Sequence, residues 1–171
     1  MTTTLTRAEQ AWQLLEGLSD PEIPVITLRE LGILRDIRES ADGLEVIITP
    51  TYSGCPAMGQ IEADVRDLLS EQGITAKVTT RLSPAWTTDW MTDEGKEKLR
   101  QYGIAPPVHK VSDVAVMKFM PRITEREAEV VPCPQCGSQQ TVESAHFGST
   151  ACKALYRCLD CRETFDYFKP Y

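Results

Sequence analysis

The chain has 171 residues, 42% of them hydrophobic, and a formal net charge of −7, which allows one globular domain or one domain with a small module attached. No run approaches the roughly 18 to 20 continuous apolar residues of a membrane span, and the N-terminus lacks the basic-then-apolar layout of a secretory signal; a soluble cytoplasmic protein with no membrane contact is expected. From Arg122 onward there are six basic and seven acidic side chains, and without clustered Lys and Arg to meet phosphates, nucleic acid is excluded as a partner.

Thr6-Arg7-Ala8-Glu9 forms a capping box, and Ala8, Ala11, Trp12, Leu14, Leu15 and Leu18 then recur at helical spacing until Gly17 offers a stop. Two prolines in Asp20-Pro21-Glu22-Ile23-Pro24 forbid regular structure, so this is a rigid loop. Thr27-Leu28-Arg29-Glu30 is a second capping box, opening a single turn closed by Gly32. Residues 33–39 and 44–49 read as strands joined through Asp42-Gly43, a hairpin signal. Residues 56–72 read as a helix with Met58, Ile61, Val65, Leu68 and Leu69 as its buried stripe. Residues 74–82 alternate as a half-exposed strand, and 92–102 form a polar helix ended by Gly103. This order predicts a small α/β or α+β layer in which helices cover one sheet. Pro106-Pro107 marks a break, residues 111–120 hold an apolar run that would add an edge strand, and 125–129 form a charged connector.

Cys133-Pro134-Gln135-Cys136-Gly137 and Cys158-Leu159-Asp160-Cys161 are two knuckle sequences separated by 21 residues. A two-residue spacing lets both thiolates of a pair reach one ion, and four thiolates are the preferred surroundings of a structural Zn²⁺; iron in the same sulfur tetrahedron is the rival. Residues 140–147, 153–157 and 164–169 have the β character of a ribbon too small to fold without metal. A closed four-thiolate site needs neither Cys152 nor His146, which are read as structural or surface residues; ligand exchange through Cys152 is the counter-hypothesis.

Thr51-Tyr52-Ser53-Gly54-Cys55-Pro56 places a lone cysteine where a strand gives way to a helix. Unpaired N–H groups and the helix dipole favour thiolate there, which makes Cys55 a candidate soft ligand or nucleophile. A small buried apolar residue is the competing reading. A cysteine hydrolase needs a histidine base, and only His109 and His146 are present, neither obviously placed to serve Cys55. Transient metal or cluster binding fits the residues better. Trp86 and Trp90, four apart, either anchor an interface or cap the sheet's core, and core packing is the reading preferred.

Asp20-Pro21-Glu22-Ile23-Pro24, Leu31-Gly32-Ile33-Leu34, the Cys55 block, and Ser83-Pro84-Ala85-Trp86 followed by Trp90-Met91-Thr92 resemble, in order, the blocks of the MIP-type domain of SufT-like iron-sulfur assembly factors. With Phe147-Gly148-Ser149-Thr150 and the stretch from Cys152 to Cys158, the whole chain resembles the PaaD family, small proteins encoded with bacterial phenylacetyl-CoA epoxidase. The resemblance implies an α+β fold: a MIP-type domain over 6–105, a linker over 106–131 with the edge strand, and a four-cysteine zinc ribbon over 132–171. It implies a non-catalytic role beside an oxygenase and a reductase carrying flavin and a [2Fe-2S] cluster. Carried over by position, Cys55 matches the family's reactive cysteine, and Asp20 and Glu22 its acidic loop. A single cysteine cannot hold a cluster alone, so a transient iron-sulfur cluster needs a partner's thiolates, glutathione or a homodimer pairing two Cys55 residues. A scaffold bridging oxygenase and reductase, with Cys55 irrelevant, is the second reading; a thiol-dependent enzyme is the third.

Overall fold

The Thr6 capping box forms as the sequence predicts: Glu9 N–H donates to Thr6 Oγ1 at 3.2 Å while Thr6 N–H donates to Glu9 Oε2 at 2.7 Å. It opens α1 (Arg7–Leu15), which buries Ala11 and Leu15. The structure, a computed structural model, describes residues 5–41, 43–108 and 130–171. The expected edge strand over 111–120 and the charged connector over 125–129 lie outside these. The chain divides into two compact units, Met1–Tyr102 with Tyr171, and Gly103–Pro170.

In the first unit, β1 (Leu34–Ser40) and β2 (Gly43–Ile48) pair antiparallel, α2 (Met58–Glu71) crosses over, and β3 (Ala76–Thr80) returns parallel to β2. Alternation decides the faces. Leu44, Val46 and Ile48 of β2, with Ile37 of β1, are buried, as are Ile61, Val65 and Leu69 of α2, the last three spaced four apart on one helical face. Helix α3 (Asp93–Tyr102) is polar and buries only Gly95 and Leu99. A Cβ on Gly95 would meet Ile26 Cδ1 at 3.0 Å and the Glu30 carbonyl oxygen at 3.1 Å, so the glycine sets how closely α3 packs on the turn at 27–30.

The second unit is a four-stranded sheet in the order β4 (Ile104–Ala105), β7 (Thr164–Phe168), β6 (Lys153–Cys158), β5 (Thr141–Ala145). Its core joins Ala105, Val131, Ala154, Tyr156, Phe165 and Tyr167 to Cys133 and Cys158. Ile104 and Ala105, which the sequence places at the end of the first domain, pair with Asp166 and Tyr167 of β7. Two residues are too short a run to signal a strand. The described mixture of small sheets and helices is an α+β architecture.

Candidate functional site

The open end of the first sheet. Because β2 and β3 run parallel and β1 runs against them, the last residues of β2 and β3 and the first of β1 share one end. Leu34 lies opposite Ile48, Thr49 N–H donates to the Ile33 carbonyl at 2.9 Å, and Arg81 N–H to the Ile48 carbonyl at 2.8 Å. The Cys55 block follows β2 at this end, and the block ending in Trp86 and Trp90 follows β3. Trp86, buried, donates its indole N–H to the Leu31 carbonyl at 3.0 Å, so it caps the core. Ile33 and Leu34 both donate backbone N–H to the Leu28 carbonyl, at 2.9 and 3.1 Å, while Leu28 N–H donates to the Leu18 carbonyl at 2.8 Å and Asp20 N–H to the Ile26 carbonyl at 3.0 Å, which ties the base of the proline loop to the same end. The four sequence blocks are therefore gathered at the carboxyl end of a parallel strand pair, where α/β sheets open crevices for ligands.

A bulge at this end turns a cation toward an aromatic. Register slips between Leu34 and Asp36, and the Arg35 guanidinium carbon stands 3.5 Å from the Trp90 ring centroid. Partial burial lowers the Arg35 pKa from its usual value, while the ring's negative face supports the charge.

Asp20 is buried and its Oδ1 accepts the N–H groups of Glu22 at 2.8 Å and Ile23 at 2.9 Å. This carboxylate holds the proline loop closed as an Asx turn, whereas Glu22 is exposed. Cys55 is half-buried and outside any disulfide. Its N–H donates to the Tyr52 carbonyl at 3.2 Å and its carbonyl accepts Met58 N–H at 3.4 Å. The helix starts at Met58 rather than at Pro56, since residues 56 and 57 form a turn first. Ala57 at its N-cap makes no side-chain hydrogen bond and no acidic residue stands in its first turn, so the dipole's positive end is left without a local negative charge two residues from Cys55. Among the described residues, Cys55, Asp20 and Glu22 share no convergent three-ligand set. A cavity of about 280 Å³ lined by Glu16, Thr27, Arg29, Glu30, Thr92 and Glu94 includes none of them.

The four-cysteine cluster. Cys133, Cys136, Cys158 and Cys161 bring their sulfurs within 4.8 Å of one another, the one convergent set among the described residues. Cys133 and Cys161 sulfurs are 3.7 Å apart, Cys136 and Cys158 3.6 Å. Thiolates at about 2.3 Å from an ion at tetrahedral angles stand about 3.8 Å apart, so the set fits one such ion. The knuckles are alike in backbone. Cys133 N–H donates to the Ser138 carbonyl and Cys158 N–H to the Glu163 carbonyl, each at 2.9 Å. The residue after each second cysteine is left-handed, Gly137 at φ 74° and Arg162 at φ 66°. Ser138 Oγ, donating to Asp160 Oδ2, ties one knuckle to the other.

Charge in the cluster is unevenly shared. Burial opposes ionisation of Cys158, but backbone N–H groups of Cys161 and Asp160 and the neighbouring thiols outweigh it and bring Cys158 down to about 6. Cys161 receives the Glu163 N–H, yet burial and three thiol neighbours push it up to about 12. Crowded thiols cannot all ionise without a cation. Cys152, buried, lies 3.0 Å from Thr150 Oγ1, and His146 is exposed beside Glu143; neither belongs to the cluster. Arg162 is the residue that sequence reading missed. Its position matches that of Gly137 in the first knuckle, which was the available signal.

A sheet-and-helix unit whose motif blocks gather at one end of the sheet, one of them carrying a lone cysteine, in a chain that also carries a four-thiolate β-ribbon, defines an iron-sulfur-assembly-type protein with an appended metal ribbon. Residues 8–79 match the family described as iron-sulfur cluster assembly protein, and residues 120–169 match the PaaD zinc beta ribbon domain. The chain is 44% identical over 164 residues to a putative 1,2-phenylacetyl-CoA epoxidase component of the D type from Escherichia coli (strain K12), covering 95% of this chain and 93% of that protein. The chain belongs to the PaaD family of phenylacetyl-CoA epoxidase components. It is also similar to two solved structures. One is a domain of unknown function from Bacillus anthracis, 27% identical, TM-score 0.49, covering 54% of this chain and 90% of that one. The other is a conserved hypothetical protein from Thermotoga maritima, 26% identical, TM-score 0.46, covering 58% and 98%. No helix among the described residues is long and apolar enough to cross a membrane.

Proposed function

We propose that this chain is an accessory component of a phenylacetyl-CoA epoxidase system that assists assembly of a partner's iron-sulfur or metal centre, with the Cys55 thiolate as a transient ligand to the cargo. The observation that carries the reading is the half-buried Cys55 beside an uncapped helix N-terminus, at the sheet end where the other three sequence blocks meet. The positive end of α2 stabilises sulfur as thiolate, the form that binds iron. Asp20 keeps the proline loop in shape, and exposed Glu22 is the acidic group of that loop open to an incoming metal. One thiolate completes no coordination shell, so the remaining ligands come from the receiving reductase or oxygenase component or from a second copy. Transfer is then thiolate exchange at iron, with no net change in oxidation state.

The ribbon cysteines are the resident metal site, and we assign it Zn²⁺. The sulfur separations fit one tetrahedral ion, and the match to a zinc ribbon family supports zinc over iron there. Bound there, the ion supplies folding free energy to a unit with little core of its own.

The test is anaerobic expression of the epoxidase components with the wild-type chain, without it, and with Cys55→Ala, followed by iron and acid-labile sulfide counts on the purified reductase and iron counts on the oxygenase. Reduced occupancy without the chain, unrescued by Cys55→Ala, is the expected result. Full occupancy with Cys55→Ala removes the ligand role from Cys55.

A further inference from the structure

The four sulfurs of the ribbon are unequally placed. Cys133 and Cys158, 2% and 0% exposed, belong to the apolar core with Val131, Tyr156 and Phe165. Cys136 and Cys161, the second cysteine of each knuckle, are exposed. One half of the sulfur tetrahedron therefore lies in the core and the other half in water. Sulfurs that hold an ion are thiolates, and oxidation of a thiolate follows its exposure. Attack from solution thus begins at Cys136 or Cys161.

Each exposed sulfur has a buried one beside it. Cys161 lies 3.7 Å from Cys133, and Cys136 lies 3.6 Å from Cys158. Both pairs join one knuckle to the other. Contacts that need no ion keep the knuckles adjacent: Ser138 Oγ donates to Asp160 Oδ2, and Leu159 N–H donates to the Gln140 carbonyl at 2.7 Å. The facing sulfurs therefore stay neighbours while one of them reacts. The remaining cysteines are set apart, since Cys152 is buried with its sulfur against Thr150 Oγ1 and Cys55 belongs to the first unit.

We infer that the ribbon is a peroxide-sensitive metal-release switch, in which Cys136 and Cys161 are the thiolates open to oxidant and Cys158 and Cys133 of the opposite knuckle resolve them. The inference rests on the assignment of a resident ion to this site and adds the route by which that ion is lost. The oxidant is hydrogen peroxide, which forms when dioxygen accepts two electrons and two protons without transferring an oxygen atom. The exposed thiolate attacks one peroxide oxygen; the O–O bond breaks, hydroxide leaves and the sulfur becomes a sulfenic acid. The facing thiolate then attacks that sulfur, an S–S bond forms and a second hydroxide leaves. The two thiolates have given up two electrons and one peroxide has taken them. Disulfide sulfur is not the thiolate that a metal needs, so each such bond removes two of the four ligands. With the ion goes the folding free energy it supplied to the ribbon.

The experiment treats the full metal-loaded chain with excess hydrogen peroxide beside a chromophoric chelator, after its zinc and iron content has been measured. Alkylation of the remaining thiols and peptide mass mapping then give the linkages. Release of the ion, Cys133–Cys161 and Cys136–Cys158 disulfides, and recovery of metal binding with dithiothreitol and added zinc are the expected results. Cys152→Ser releases the ion as fast as wild type, and Cys161→Ser forms only the Cys136–Cys158 bond. An ion retained under peroxide that oxidises Cys55 overturns the inference, while the metal assignment stands. Bonds within a knuckle, Cys133–Cys136 or Cys158–Cys161, overturn it too, as does release accompanied only by sulfinic acids that dithiothreitol leaves unchanged. Iron found in place of zinc before treatment removes the zinc assignment alone, and the linkages still decide the switch. A chain that takes up neither metal removes both.

Discussion

Gly32 and Trp90 touch backbone to backbone: a Cβ on Gly32 would fall 2.7 Å from both the Cβ and the carbonyl oxygen of Trp90. Gly32 also sits at φ 78°, so two separate constraints demand glycine. Gly32→Ala is expected to cost about 1 kcal/mol for the left-handed backbone and about 1–3 kcal/mol more for overpacking. Trp12, Trp86 and Trp90 all lie in the first unit, so a urea titration followed by tryptophan fluorescence reads the loss directly.

The two knuckles invite a paired test. Gly137→Ala meets no atom within 4 Å and strains only its φ, costing about 1 kcal/mol. Arg162→Gly relieves a left-handed non-glycine residue, worth roughly 1–2 kcal/mol, less roughly 0.5–1 kcal/mol for the freer unfolded chain. The first variant is expected to lose metal to a chelator at lower concentration than wild type, and the second at the same or higher concentration.

Metal affinity is expected to fall as pH falls, and more steeply below about 6. Above that value Cys158 is already thiolate, whereas below it metal must displace one further proton, and Cys161, pushed up to about 12, gives one up at every working pH. Competition with a chromophoric chelator from about pH 5 to 8 gives the slope. A Cys133→Ser chain should bind far more weakly throughout.

Glu30 links the turn at 27–30 to α3. Its Oε2 accepts Thr27 N–H at 3.0 Å, and Lys98 Nζ reaches its Oε1 at 2.6 Å. Partial burial raises its pKa, but Lys98 and the Thr27 N–H outweigh burial and hold it below 4.5. A depressed carboxylate stabilises the fold fully above its unfolded value, and that contribution drains as pH falls from about 4.5 through the lowered value. Glu30→Gln should cost about 1–2 kcal/mol at pH 7, and the gap to wild type should close in acid. Urea midpoints at about pH 7 and pH 3.5 check this.

The capping boxes at Thr6 and Thr27, the stripe on α2 and the hairpin of β1 and β2 were legible because each is written within one or two turns of chain. Boundaries were less so: α2 starts two residues later than its periodicity suggests, because Pro56 and Ala57 suit a turn as well as a helix. Of the candidate site, the proline loop and the Cys55 block were visible as segments, while the Arg35 stack on Trp90 was not. It arises from a register slip between strands, which leaves no local pattern.

By itself the sequence determined which sulfurs converge as a metal-binding set, since two short C-x-x-C spacings already place each thiol pair, and it located the three described α-helices and the strands other than β4. Only the tertiary structure decided that β3 runs parallel to β2, which gathers four distant blocks at one sheet end, and that Ile104 and Ala105 join β7. Strand partners are chosen by burial summed over residues far apart in the chain, and no short stretch contains that sum.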